Sequence, residues 1–577
     1  MPTLDWIGKK AVLNHHRQVP YHLLRCHEKL SVGDPGSGNL LVQGDNLLAL
    51  KALLPYYAGQ VKCIYIDPPY NTGNENWVYN DAVNSPEIRN WLGQAVGGES
   101  KDLARRDKWL CMMFPRLSLL KEFLSLDGII AVSIDDNELY DLGSVMDEIF
   151  GVRNKLACAP WLAEPSGGKQ KGALRKGHEY VLIYHNGDDS NLTREEKSTG
   201  KLDKRDKFGK YRKGRELLKW REQSLRSDRR RMWFPVLAPD ASQVYPIRND
   251  GKEGRWRLGA ENPLMLSILA DPEHAHWEKR PFDAGVTVDG KTERWVPYEK
   301  IRTAKKSFGW TTWLDSFGYN ADATRELKEI FGEKSFDTPK PTQLIQWIIS
   351  LHEDEDVIVL DSFAGSGTTG HAVLEMNKAD GGKRRFILVE MEPEICRTVT
   401  ALRLERAIEG YSRKNADEKK EEVPGLGGGF RYCMLAQPLF DENGSIRPDV
   451  EFADLAAHVY FTETGEPLGM HRNKPPALPG DRNGKKASPG SAGGLAAQRP
   501  SPLIGKCKGT AYYLLFNGVL GDKRPNGGNV LTGKVLEKLP PHDGPKVVYG
   551  EGCRLGAARL KRENIVFKQV PYEIKTA

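Results

Sequence analysis

An α/β fold is what this sequence predicts: a parallel sheet covered by helices on both faces, with a basic domain inserted into it and a small α/β domain after it. Three observations point there. Short apolar runs rich in β-branched residues, such as 61–66 and 356–360, alternate with stretches of helical periodicity. Two of these runs end abruptly, one in Asp67-Pro68-Pro69-Tyr70 and the other in the glycine-rich turn SFAGSGTTG, 362–370. The alternation is lost from about 190 to 300, where the chain turns basic, and resumes near Trp310.

At 577 residues the chain exceeds what one hydrophobic core supports. The pattern divides it into 1–190, an insertion at 191–309, a return to the first domain at 310–435, and 436–577. With 39% hydrophobic and 28% charged residues, the composition is that of an ordinary globular protein. No apolar stretch is long enough for a bilayer, and MPTLDWIGKK lacks the apolar core of a signal peptide, so a cytoplasmic protein without a membrane partner is expected. Eight cysteines, at 26, 63, 111, 158, 396, 433, 507 and 553, show no CxxC and no paired spacing. Reduced thiols are therefore expected, with neither a disulfide framework nor a metal site.

Taken in order, the turn GDPGSG (33–38) precedes a strand, Leu40-Leu41-Val42, which runs into Gly44-Asp45-Asn46 and a helix over 47–54. Asp45, between strand and helix, can meet a ligand's ribose or cap the helix, and the residues alone do not choose. After Tyr70 a polar, glycine-bearing stretch to about 100 reads as a loop or lid. A helix follows over 109–126, interrupted or started by Pro115, then a strand (GIIAVSI), a helix (DDNELYDLGSVMDEIFG) and the strand HEYVLIY, 178–184.

The inserted segment is distinguished by charge. Net charge is +7 overall, while 197–231 carries fifteen Lys/Arg and five Asp/Glu, so the rest is about neutral. A basic run is often only a solvated face. Here Phe208, Tyr211, Trp220, Trp233 and Phe234 interleave with the charge, which suits a nucleic-acid surface, with Lys213, Arg215, Arg229, Arg230 and Arg231 as its contacts. Beyond it come LKEIFG (327–332), FDTPKP (336–341), a helix TQLIQWIISL, and the strand ending at Asp361. Residues 411–429 read as a linker, 471–502 as a disordered one, and the last seventy residues as a small α/β module.

Two stretches carry chemistry. Two successive prolines stop the first strand, since neither has an N–H to donate, and they leave the Pro68 carbonyl beside the Asp67 carboxylate. Two acceptors next to the flat ring of Tyr70 suit a planar heterocycle bearing an exocyclic amine; a plain strand-ending turn is the alternative. In the second stretch, Gly365, Gly367 and Gly370 form GxGxxG between a strand and a helix, where backbone N–H groups can approach a ligand. The strand FILVE ends in Glu390, which is placed to accept ribose hydroxyls. A dinucleotide-binding fold is the competing reading, whereas a P-loop is excluded because His371 follows Gly370 where Lys is required.

Together, DPPY at 67–70 and FAGSG at 363–367 resemble the amino DNA methyltransferases that use S-adenosylmethionine, over roughly residues 1–435. DPPY precedes FAGSG, which resembles the β class, with its target-recognition domain in the middle. FDTPKPTQLI looks like that class's contact to the cofactor's methionine end, and GDNLLAL (44–50) like its lead-in to DPPY. The length, DPPYNTG, GLGGGFRY (425–432) and the C-terminal extension resemble the modification (Mod) subunits of type III restriction-modification systems. The resemblance implies a Rossmann-like, circularly permuted methyltransferase sheet and double-stranded DNA as substrate. It further implies methyl transfer from S-adenosylmethionine to N6 of a flipped-out adenine. Asp67, Pro68, Pro69 and Tyr70 would be catalytic. Asp45, Lys340, Asp361, Phe363, Ala364, Gly365, Ser366, Gly367, Thr368 and Glu390 would surround the cofactor. A homodimer is implied, with or without a restriction (nuclease/helicase) subunit. Asp67 favours adenine, since cytosine-N4 members more often carry Ser there. Cytosine-N4 transfer and a catalytically silent DNA-recognition subunit are the alternatives.

Overall fold

The structure, a computed structural model, describes residues 3–72, 101–167, 174–189, 191–282, 292–414, 420–468, 501–517, 522–525, 527–571 and 574. The expected lid up to 100 and nearly all of the expected linker at 471–502 lie outside them. The chain forms two compact units, 194–310 and the remainder. Among the described residues no helix is long and apolar enough to cross a membrane.

The larger unit is built on a mixed sheet. Its strands are β1 (His22–Cys26), β2 (Leu40–Gln43), β3 (Val61–Ile66), β4 (Leu124–Ile134), β5 (Lys155–Leu162), β6 (His178–His185), β7 (Ile358–Asp361), β8 (Arg385–Glu390) and β9 (Gly429–Pro438). They lie in the order β1-β9-β2-β8-β7-β3-β4-β6-β5. From β9 to β4 every neighbouring pair is parallel. All residues of β2 and β7 are buried, as strands covered on both faces must be. Among its helices are α1 (Asn46–Tyr57), α2 (Lys101–Phe123), α3 (Leu139–Phe150), α4 (Asn320–Phe331), α5 (Thr342–Ser350), α6 (Thr368–Asp380) and α7 (Leu402–Glu409). Pro115 neither starts nor stops α2, which runs through it.

Three expectations need correction. The sheet is not parallel throughout: β6 runs antiparallel to both β4 and β5, and β1 antiparallel to β9. Antiparallel neighbours such as β5 and β6, consecutive along the chain, need no crossover helix between them. At the other edge Cys26 sits opposite Cys433 and the two form a disulfide, although 407 residues separate them. Spacing along the chain carries no trace of such a pair; cross-strand opposition creates it. The stretch read as a linker begins instead as a hairpin, with Gly410–Lys414 antiparallel to Lys420–Pro424.

At the C-terminus, Leu503–Cys507, Thr510–Leu514, Lys546–Gly550 and Ile565–Gln569 form a four-stranded sheet. Leu514 and Tyr549 from it share an apolar cluster with Leu439 and Leu455. The smaller unit holds a four-stranded antiparallel sheet of Ala275–Pro281, Glu293–Ile301, Gly209–Glu216 and Lys204–Asp206. Leu217, Trp256, Met265 and Ile268 form its core. Its first strand, Glu195–Ser198, pairs antiparallel with its last, Lys305–Phe308.

One adjacency positions everything that follows. β7 lies beside β3, with Val359 opposite Cys63 and Leu360 opposite Ile64. The chain leaves β7 for β8 on one side and leaves β3 for β4 on the other. Where connections diverge in this way, a crevice opens at the carboxyl ends of the strands.

α6 packs closely behind that crevice. A Cβ added to Gly370 would lie 2.7 Å from Leu404 Cδ2 and 3.0 Å from Leu388 Cδ1. Gly370→Ala is expected to cost about 1–3 kcal/mol and lower the midpoint of thermal unfolding. An unchanged midpoint would mean that this packing is slack.

Candidate active site

The Asp67-Pro68-Pro69-Tyr70 turn leaves β3 with its two proline carbonyls in different circumstances. That of Pro69 accepts from Trp109 Nε1 on α2 at 2.6 Å. Pro68 is buried, and no described residue donates to its carbonyl. Asn71, at φ 57°, closes the turn; its amide donates to Glu138, and Arg105 donates to its carbonyl. Burial pushes the Glu138 carboxyl up to about 7 against that amide's pull.

The glycine turn after β7 is shaped from below. Gly365 (φ 49°) and Gly367 (φ 77°) adopt the left-handed backbone that residues with a side chain resist. Asp361 accepts from Phe363 N at 2.9 Å and from the Thr369 hydroxyl at 2.6 Å, spending both oxygens on the turn. Glu390, at the tip of β8, accepts from Gly365 N at 2.8 Å and Glu392 N at 2.9 Å. Burial pushes both carboxyls up to about 7. Under the turn, the Thr400 hydroxyl donates to the Gly365 carbonyl at 2.6 Å from a π-helical turn, Cys396–Ala401. Arg403, fully buried, donates to Thr368 Oγ1 at 2.8 Å and to Glu326 Oε1 at 2.6 Å.

Both motifs line one cleft of about 630 Å³. Asp67, Pro68, Pro69, Tyr70, Lys340, Asp361, Phe363, Ala364, Gly365, Ser366, Thr368 and Glu390 all reach it. Asp45 is not in its lining: its carboxylate accepts from Leu48 N at 2.9 Å, which caps α1, and lies 3.4 Å from Arg116 Nη2. Lys340, within the same cleft, bridges two carboxylates, with Nζ 2.8 Å from Asp67 Oδ2 and 3.4 Å from Glu179 Oε2. The Tyr70 hydroxyl lies 2.8 Å from Asp67 Oδ1 and 2.9 Å from Glu179 Oε2.

Glu179 and Phe336 were missed from sequence. Glu179 enters from β6, two strands away from β3, and its only local signal is a charged residue opening an otherwise apolar strand. Phe336 lies in FDTPKP, and its ring comes within 3.3 Å of where a Cβ on Gly365 would sit.

Elsewhere, Asp127, His352 and Asp354 form a group able to hold a cation, but Lys62 already donates to Asp127 and lies 3.8 Å from Asp354. In the smaller unit, Lys213 is tied to Glu278 at 2.6 Å. Arg215, Arg229, Arg230 and Arg231 are exposed.

A protein family described as DNA methylase, of the N6/N4 type, matches residues 61–401. The Mod subunit of the EcoPI type III restriction-modification enzyme of Escherichia phage P1 is 32% identical over 448 residues, covering 72% of this chain and 68% of that protein. The type II methyltransferase M.KpnI of Klebsiella pneumoniae is 33% identical over 64% of this chain and 84% of its own length. The StyLTI Mod subunit of Salmonella typhimurium is 33% identical over 80% and 70%, respectively.

Asp361 and Glu390 give the cleft a pH signature. Their folded pKa values exceed the ordinary ones, so the native chain binds these protons more tightly than the unfolded chain. The stability this confers is complete below about pH 4 and is lost as pH rises through about 7. The thermal midpoint of the ligand-free protein should therefore fall between about pH 5 and 8. It should fall less in Asp361→Asn, whose amide can still accept from Phe363 and can donate to Thr369. Parallel profiles for the two proteins would remove Asp361 as a source.

Proposed function

The chain belongs to the N6/N4 DNA methylase family, and from that premise we propose that it transfers a methyl group from S-adenosylmethionine to the N6 amine of an adenine in a specific DNA sequence. The reading rests above all on one observation: the Asp67 carboxylate and the Pro68 carbonyl, to which no described residue donates, share a cleft with the glycine turn after β7. An amino group offers two N–H bonds, and these are two acceptors with different directions to take them.

The cleft suits the cofactor. A glycine turn opening a helix, with an acidic residue at the tip of the next strand, is the arrangement that receives an adenosyl group in doubly wound sheets. Glu390 keeps spare lone pairs for ribose hydroxyls even while accepting two backbone N–H groups. Phe336 and Phe363 offer apolar faces beside it. When bound, S-adenosylmethionine supplies an electrophilic methyl on a sulfonium.

The protein's own part is to prepare the amine. A base inside a duplex must be extruded, at a few kcal/mol. Stacking on Tyr70 returns about 1–3 kcal/mol of that. The nitrogen lone pair of adenine N6 is delocalised into the ring, so accepting both N–H bonds at Asp67 and Pro68 draws the nitrogen toward tetrahedral geometry. These bonds strengthen as positive charge develops on nitrogen, which is stabilisation of the transition state rather than of the bound base. The Pro-Pro backbone and the Trp109 bond to Pro69 fix the course of the turn that carries these acceptors before the base arrives.

The same reading extends to partners: a homodimer acting on double-stranded DNA in the cytoplasm, as the modification half of a restriction-modification system. Arg229, Arg230 and Arg231 would supply phosphate contacts.

Asp67→Ala is expected to lower methyl transfer by about 10²–10³-fold while cofactor affinity changes little. Labelled-methyl incorporation and calorimetric titration with the cofactor read the two effects separately. Analysis of the modified nucleoside should return N6-methyladenine; N4-methylcytosine would instead make the chain a cytosine enzyme. Reversing the charge of Arg229, Arg230 and Arg231 should weaken DNA binding and shrink the slope of log K against log salt by about one unit per lost contact. An unaltered slope would locate the DNA surface elsewhere.

A further inference from the structure

The carboxylate that should receive the target amine is already occupied. Lys340 Nζ lies 2.8 Å from Asp67 Oδ2 and 4.9 Å from the centroid of the Tyr70 ring. Those are the two contacts that an extruded base would make, an N–H group on Asp67 and a partner on the ring face. An ammonium can satisfy both, since it donates hydrogen bonds and is attracted to aromatic faces. The Lys340 side chain is only 6% exposed, so solvent offers it little alternative. Burial alone would lower its pKa. The charges of Asp67 and then Glu179 outweigh burial and hold its pKa above the ordinary lysine value.

A base can therefore enter only if this ammonium moves, and of the cleft's other carboxylates Glu179 already lies within reach of it. Glu179 Oε2 is 3.4 Å from Lys340 Nζ and 2.9 Å from the Tyr70 hydroxyl. It projects from β6, which also runs antiparallel to β4, and is thus fixed independently of the Asp67 turn. A short shift of the ammonium toward Glu179 tightens a pair that already exists, so the charge stays compensated as the Asp67 pair is given up. It also frees Asp67 and the face of Tyr70 together.

We propose that Lys340 is a placeholder for the target base, and that Glu179 is the positioning residue that draws it off Asp67 and Tyr70 when the base arrives. The proposal rests on the methyl-transfer reading of the cleft. It adds that this chain holds its acceptors in a paired, charged state between turnovers, and that Glu179 acts on the base through Lys340 rather than by touching it.

The test measures extrusion without turnover, so it tolerates variants that cannot transfer methyl. The wild-type chain is first shown to methylate an adenine. A duplex is then made with 2-aminopurine at that position, and its fluorescence gain on binding reports the extruded base. Glu179→Gln should reduce the extruded fraction by about tenfold, because Lys340 loses its second anchor and stays on Asp67. Lys340→Met should extrude at least as well as the wild type. In the double variant, Glu179→Gln should have no further effect, because there is no ammonium left to move. A Glu179→Gln protein that extrudes normally overturns the proposal. So does a double variant that loses as much as the single one, since Glu179 would then act on the fold or on the base directly. Glu179→Asp, which retains the charge, should recover most of the signal; if it behaves like Glu179→Gln, the charge is not what matters and the proposal falls. Absence of methylation by the wild type would instead overturn the functional reading itself.

Discussion

The structure depends on the adjacency of β7 and β3. Their parallel pairing sets Leu360 against Ile64, and from that register both strands release their turns at the same edge of the sheet. Residues 67 and 361 are nearly three hundred positions apart in sequence, yet they line one cleft because two short buried strands hydrogen-bond side by side. Parallel strands need long crossovers. Here the crossover between the two motifs is long enough to contain another folded unit, and the sheet is indifferent to its length.

A cleft assembled in this way concentrates charge in a poorly solvated place. Asp67, Glu179, Lys340, Asp361 and Glu390 all line it. Each is compensated differently. Asp361 and Glu390 spend their oxygens on backbone N–H groups and a hydroxyl, holding the glycine turn in shape. Asp67 and Glu179 share an ammonium. Below the turn a second layer repeats the pattern, with Arg403 fully buried against Glu326, Thr368 and His371. Replacing such a pair by apolar residues is often harmless to stability, so its presence suggests a positional role, keeping the first turn of α6 at a fixed height.

Much of this was legible in the sequence for local reasons. Two adjacent prolines after a β-branched run can only end a strand, and glycines between a strand and a helix can only make a tight turn. Each motif therefore announced its own geometry. What could not be read was lateral. Glu179 belongs to the cleft because β6 lies next to β4, and nothing within HEYVLIY says which strand will be its neighbour. Asp45 had two readings of equal local merit, and the cap on α1 is the one its carboxylate makes. The antiparallel edges, and with them the Cys26–Cys433 pair, depend on which strands become lateral neighbours, which no local stretch of sequence records. The antiparallel pairing of 410–414 with 420–424 was hidden by charged residues, which resemble a linker when their cross-strand partners are unknown.

The pairing of Glu195–Ser198 with Lys305–Phe308 has an evolutionary consequence. A cassette whose entry and exit already touch can be swapped, lengthened or trimmed by recombination without prising apart the host that carries it. Lineages sharing one sheet could thereby diverge in the unit they carry, each through a single exchange between two crossover points.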